Sequence, residues 1–286
     1  MQFDLFKDSR DVGLRNTVVA ALLARNVGAM REAIDCLRSD FPDDRHLDGF
    51  EHLYAECLAL RLAESSAADI ARQIERIETQ LLPVLKKILG SDAAQRWIAP
   101  VYGELARAAT GQTFNRSETN AHSAALFLRA GELAPARAAV EAIPSWRRIP
   151  EPLAWMTEIA LREKAPDEYW PLVAELAWIA PALLAALLPR AAPTTALRLY
   201  QEFCVTVENA DTETPWFPAW LLVEHADLLQ SLRFAQTQDS SPARSAALLI
   251  DLLIGERQGL TPALLDKRRQ LRELAPTIFG RYMAHR

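Results

Sequence analysis

Between Ala67 and Gly90 the apolar residues Ile70, Ile74, Ile77, Leu81, Leu85 and Ile88 recur at spacings of three and four, drawing one stripe along one helix. Ser66 three positions before Asp69 has the form of a capping box, and Gly90 supplies a stop. Pro83 removes a backbone donor, so a bend or an earlier end is expected there. The same periodicity predicts helices over 9–25, 29–39, 46–64, 92–110, 118–130, 133–143, 151–163, 167–188, 194–208, 218–234, 242–257 and 262–274. Pro218, Pro242 and Pro262 stand where a first helical turn tolerates proline. No stretch alternates with period two, and Phe203–Val207, the one β-like run, reads as the last turns of a helix that reaches Glu208. Residues 111–116, 209–215 and 235–241 read as loops. The first of them divides the chain into an N-terminal helical subdomain, 1–112, and a C-terminal one, 113–286, either separate from it or continuous with it.

Composition sharpens this picture. The chain has 286 residues, half of them apolar, enough for one large or two small domains. It holds 48 Ala and 42 Leu against 11 Val and 13 Ile, a balance that favours helices over strands. The expected class is all-α: antiparallel helix hairpins, stacked as an α-solenoid or as an irregular helical array. None of the ten glycines forms a GxG pair and no GxxxxGK[ST] run occurs, which excludes the usual phosphate-cradling loops.

Two segments share an organisation. Leu22-Leu23-Ala24-Arg25-Asn26-Val27-Gly28 closes one helix, and Ala33, Ile34, Leu37 and Phe41-Pro42 follow. Leu126-Phe127-Leu128-Arg129-Ala130-Gly131 closes another, followed by Ala136, Ala139, Val140, Ile143 and Pro144. The two glycines lie 103 residues apart, close to three periods of about 34 residues. A weaker echo follows Leu183–Leu188, with a turn at 190–192 and then Ala196, Leu197 and Tyr200. The arrangement resembles the helix–turn–helix unit of tetratricopeptide-repeat proteins over about a quarter of the chain, without that family's first-helix Trp or Leu-Gly pair. The resemblance implies stacked hairpins and a concave surface that binds partner segments, and makes the C-terminal subdomain, 113–286, tetratricopeptide-like.

The net charge of −5 argues against a protein that coats nucleic acid. Charge is polarised: from Glu256 to Arg286 seven cations (Arg257, Lys267, Arg268, Arg269, Arg272, Arg281 and Arg286) face three acids, which reads as a solvated helical face or a docking patch for an acidic partner. Cys36, Cys57 and Cys204 have no CxxC spacing and are expected to be buried thiols in a reducing compartment. Residues 1–10 do not resemble a secretory signal. The longest apolar run, Leu176–Pro189, falls short of a membrane span. A cytoplasmic protein without membrane insertion is expected.

Few residues suggest chemistry. Asp48, His52 and Glu56, spaced four apart, would share a helical face and could in principle hold a metal. The plainer expectation is acids complementing a helix start opposite a buried face of Phe50, Leu53, Cys57 and Leu60. Glu118 and His122, four apart, miss the Glu-x-x-His pattern of helical di-metal sites. No GxSxG or HExxH occurs, and Cys57, Cys204 and His225 read as core residues. Six of the seven tryptophans lie between Trp146 and Trp220, and Trp146-Arg147-Arg148 is bracketed by Pro144 and Pro150. Rigid rings beside planar guanidinium groups are common at binding surfaces, and large rings equally fill gaps between Ala-rich helices. The reading that follows is a non-enzymatic interaction scaffold without cofactor, contacting a protein or peptide segment through Trp146, Arg147, Arg148, Trp155 and Trp170. The alternatives are a metal-dependent enzyme or ligand-binding protein using Asp48, His52 and Glu56, and a homo-oligomeric structural component.

Overall fold

The computed structural model describes residues 10–60, 67–207, 210–236, 238–256, 259 and 261–286. Among them the fold is all-α, with no strand. It divides into two compact units, Met1–Ala136 and Arg137–Arg286. The division falls beyond the loop at 111–116, because the helices on either side of that loop pack on each other within the first unit.

The first unit opens with α1 (Arg10–Leu23) and α2 (Val27–Asp40). Met30, Ala33, Ile34 and Leu37 bury the inner stripe of α2, and the Asn26 side chain caps its start by accepting from the Ala29 N–H. The turn between the two helices is not at Gly28, as the sequence suggested, but at Arg25, which takes φ 53°. Arg25 N–H donates to the Leu22 carbonyl and Asn26 N–H to Ala21, each at 3.0 Å, the bonding of a Schellman turn. Gly28 lies inside α2.

After α3 (Leu47–Ala59) comes the long stripe, α4 (Ala67–Arg76) and α5 (Leu82–Leu89), joined by a π-helical turn at Ile77–Leu81. The wider turn stands just before Pro83, whose ring would otherwise meet the carbonyl four residues back. Ile70, Ile74, Ile77, Leu81 and Leu85 are all buried, and Ser66, the expected cap, lies outside the described residues. Then α6 (Ser91–Ala108) buries Trp97, Ile98, Val101, Tyr102 and Leu105. The expected helix 118–130 is instead a 3-10 segment, Arg116–Ala121, and α7 (Ser123–Ala130), which packs on α6. The break is at His122, whose Nδ1 accepts from the Ala124 N–H and caps α7. Gly131, at φ 78°, makes the same Schellman turn as Arg25 before α8 (Leu133–Glu141).

In the second unit α9 (Pro150–Glu163) and α10 (Pro166–Ile179) form a hairpin whose turn repeats the Schellman bonding at Lys164, φ 56°. The expected helix 167–188 is two: α11 (Pro181–Ala191) begins after Ala180, because the residue before a proline is driven out of the helical region. Next come α12 (Thr194–Thr206), a short α13 (Ala210–Glu213) where a loop was expected, and α14 (Phe217–Glu224). The expected helix 218–234 breaks at His225, and the chain passes through a 3-10 turn to α15 (Leu229–Leu232). Then follow α16 (Ser241–Gly255), α17 (Pro262–Leu274) and α18 (Pro276–Ala284), the last not foreseen from the sequence. Tyr169–Ala177 of α10 and Phe217–Val223 of α14 are buried on every side. A helix with no polar face must lie inside, and these two pack together as the centre of the unit. Tyr200, Phe203, Phe217 and Trp220 form a ring cluster there, with centroids 5.2–6.3 Å apart.

Candidate functional site

The segment after α8 turns sharply. Ile143 is buried, Ser145 adopts the left-handed region at φ 56°, and Trp146–Arg148 form one 3-10 turn before Pro150 opens α9. A non-glycine residue in that region stores strain that the surroundings must hold. Two residues on, Arg147 is anchored to the core. Its Nε donates to Glu175 Oε2 and its Nη2 to Glu175 Oε1, both at 2.7 Å, a bidentate fork.

Glu175 sits midway along α10 and is 0 % exposed. Its Oε1 also accepts the Gln236 N–H at 2.7 Å, so one carboxylate ties together the Trp146 turn, the central helix and the strand of chain after α15. Burial pushes the Glu175 carboxyl above the usual Glu value, and the Arg147 and Gln236 hydrogen bonds with the Arg147 charge only partly offset it.

Around this anchor lie the surface groups. The Trp146 ring is half-buried with the Arg147 guanidinium 5.9 Å from its centroid, and Arg148 is exposed. Two residues before Gln236, Phe234 is 60 % exposed, with Arg233 stacked 4.8 Å from its ring. Neither Arg148 nor Arg233 forms an ion pair among the described residues.

The expected contact set is therefore divided. Trp146 and Arg148 reach the surface, Arg147 turns inward as the brace, and Trp155 is half-buried on α9. Trp170 is a correction: at 1 % exposed, with its ring 5.0 Å from Tyr169, it fills the core and has no surface to offer. Phe234 and Arg233 were missed because their segment read as the end of a long helix. The only local signal was an aromatic residue directly after an arginine at that end.

The Asp48, His52 and Glu56 stripe is not assembled as a site. Asp48 is exposed, His52 Nε2 lies 3.2 Å from the Gln80 carbonyl, and Glu56, buried, accepts Arg76 Nε at 2.6 Å and Nη2 at 3.0 Å. Both Glu56 oxygens are thus committed across to α4. Among the described residues no group of three or more His, Cys, Asp or Glu side chains is placed to hold a metal ion.

The cysteines form no disulfide among themselves. Cys36 is exposed, against the expectation of burial, since it falls outside the 30, 33, 34, 37 stripe of α2. Cys57 and Cys204 are half-buried, and burial raises the Cys57 thiol to about 11, which leaves it protonated and unreactive near neutral pH. No described helix is long and apolar enough to cross a membrane.

The C-terminal cations are mostly consumed internally. Arg268 and Arg286 pair with Glu256, Lys267 with Asp251, Arg269 with Asp266, and Arg281 with Glu224, while Arg257 lies outside the described residues. A cavity of about 620 Å³ is lined by Phe203, Trp216, Trp220 and Ile278 together with Glu213 and Arg281. No protein-family model, no curated protein and no solved structure matches this chain.

Proposed function

We propose that the chain is a non-enzymatic interaction module, a tetratricopeptide-like array of helix hairpins that binds a segment of a partner protein on the surface around Trp146. Arg148 and Phe234 complete the contact set, and Arg147 acts as the brace beneath them. One observation carries the reading: the neighbours of a half-buried Trp and a mostly exposed Phe, Arg147 and Gln236, from segments far apart in sequence, both donate to a single buried carboxylate. Large rings held in place lose little conformational entropy on binding, which is why such residues dominate interface energetics.

The hairpin reading draws support from the repeated left-handed turn at Arg25, Gly131 and Lys164, the last two 33 residues apart. That spacing is close to the repeat of about 34 residues in the family the sequence resembles. That no disulfide joins Cys36, Cys57 and Cys204 suits a reducing, cytoplasmic setting.

The test is affinity capture with the full chain as bait, comparing the wild type with a Trp146→Ala/Arg148→Ala variant of unchanged melting temperature. Loss of a reproducible partner in the variant is the expected result. A partner set that is identical in both overturns the assignment of this surface. Mass in solution, measured alongside, separates a self-assembling component from an adaptor.

A further inference from the structure

We infer that the first unit carries a binding site for a small, neutral, apolar molecule of one or two flat rings, in a cavity bordered by α1, α2, α3 and α6 and independent of the interaction surface proposed above. The packing of the unit leaves space there. α2 packs along α1 and α3, whereas α6 packs along α5 and α7. Trp97 bridges from α6 to the end of α1: its Nε1 donates to the Leu22 carbonyl at 2.7 Å, and the Arg25 guanidinium lies 4.5 Å from its ring centroid and donates to its carbonyl. Protein interiors rarely keep voids larger than a water molecule. Beside this ring, however, a cavity of about 200 Å³ is lined by Leu22, Met30, Cys57, Trp97 and Val101.

The lining sets the ligand's chemistry. Leu22, Met30, Trp97 and Val101 are buried, and Cys57 is half-buried with a thiol that stays protonated, hence uncharged, near neutral pH. Among the described residues, none that lines the cavity has a buried side-chain donor or acceptor left without a hydrogen bond. A polar ligand would therefore give up its bonds to water for little return. Two exposed residues of the lining, Arg25 and Glu104, carry opposite charges, and Arg25 is already engaged with the Trp97 ring and carbonyl. Neither an anion nor a cation is drawn in. Size follows from the volume: at the interior packing density of about 0.74, this space holds a body of roughly 150 Å³, one ring or two fused rings. Apolar cavities of about 150 Å³ admit benzene. An indole and the polarisable sulfurs of Met30 and Cys57 line the same space, and both favour an aromatic guest over an alkyl one.

The probe is fluorobenzene, titrated into the full chain and followed by its fluorine NMR resonance. Saturable binding is expected, with a dissociation constant of about 1 mM or tighter. Benzoate and benzylammonium, similar in size but charged, should bind at least about tenfold more weakly. Cys57→Phe places a ring in the cavity and abolishes binding, and Val101→Phe serves the same purpose if the first variant melts lower. Val205→Phe, at an exposed position on α12, is the control and leaves binding unchanged. A second readout needs no variant. At about ten times its dissociation constant, fluorobenzene slows iodoacetamide alkylation of Cys57 about tenfold, while exposed Cys36 reacts at an unchanged rate. The inference is overturned by absence of saturable binding, by charged analogues binding as tightly as fluorobenzene, by binding that survives both filled variants, or by Cys57 alkylation indifferent to the probe. None of these outcomes bears on partner capture through Trp146, which lies in the other unit.

Discussion

Two glutamates in the second unit meet arginines in opposite circumstances. Glu175, at the centre of α10, is completely buried and receives one guanidinium and one backbone N–H. Glu256, just past α16, is half-buried and receives Arg268 Nη2 at 2.7 Å, Arg286 Nη2 at 2.9 Å and the Tyr282 hydroxyl. Burial raises both carboxyls. At Glu256 the phenol and two cations outweigh it and hold the group below the usual range, while at Glu175 a single cation does not. At Glu175 desolvation thus exceeds what one bidentate arginine and a backbone N–H return, whereas at Glu256, which is less deeply buried, two arginines and a phenol outweigh it. The contrast also separates two basic regions. The C-terminal arginines around Glu256 are spent on internal pairs, whereas the Trp146 turn spends Arg147 and leaves Arg148 exposed.

The largest test of this contrast is Arg147→Ala. It strands a buried carboxylate and loosens the strained turn at Ser145, so a loss of about 3 kcal/mol is expected in urea unfolding. A loss below about 1 kcal/mol would show that Glu175 simply takes up a proton without consequence.

The pH response comes next, and the two sites should differ in sign. Glu175 binds its proton more tightly folded than unfolded. Its contribution is full below the ordinary Glu value of about 4.3 and is lost as pH rises through the raised folded value. Glu256 does the reverse: its contribution is present above about 4.3 and is lost as pH falls through the lowered folded value. Urea midpoints between about pH 3 and about pH 7 should show Glu175→Gln removing the loss on the rising side and Glu256→Gln removing the loss on the acid side. Identical profiles for the two variants would dissolve the distinction.

Tyr282→Phe should cost about 1.5 kcal/mol, the usual worth of a hydrogen bond to a charged group, and should move the acid-side loss to higher pH. Arg286→Ala is the smallest effect, about 0.5 kcal/mol, because this arginine is part-exposed and Glu256 keeps Arg268 and Tyr282. A larger loss from Arg286→Ala than from Tyr282→Phe would mean that the Arg286 charge, rather than the phenol's hydrogen bond, holds Glu256 ionised.

The sequence by itself determined that this chain is helical and where most helices lie. Ala and Leu content, the stripe from Ile70 to Leu85 and prolines at first turns act through backbone rules that reach only a few residues. Where those rules compete, it read less well: Ala180 before Pro181 and His225 each end a helix that apolar periodicity carried onward. The Schellman turns at Arg25 and Lys164 were hidden because nothing in an arginine or lysine announces a left-handed conformation, while Gly131 was readable. Trp146 and Arg148 stood out as surface candidates, but Trp170, equally conspicuous in the sequence, went into the core. Tertiary structure alone decided that Glu175, a lone acid in an apolar run, meets Arg147, 28 residues before it, and Gln236, 61 residues after it. The reason is that a buried charge is stabilised by whichever donors the packed helices bring to it, and that choice depends on how apolar faces stack across the unit, which no local pattern encodes.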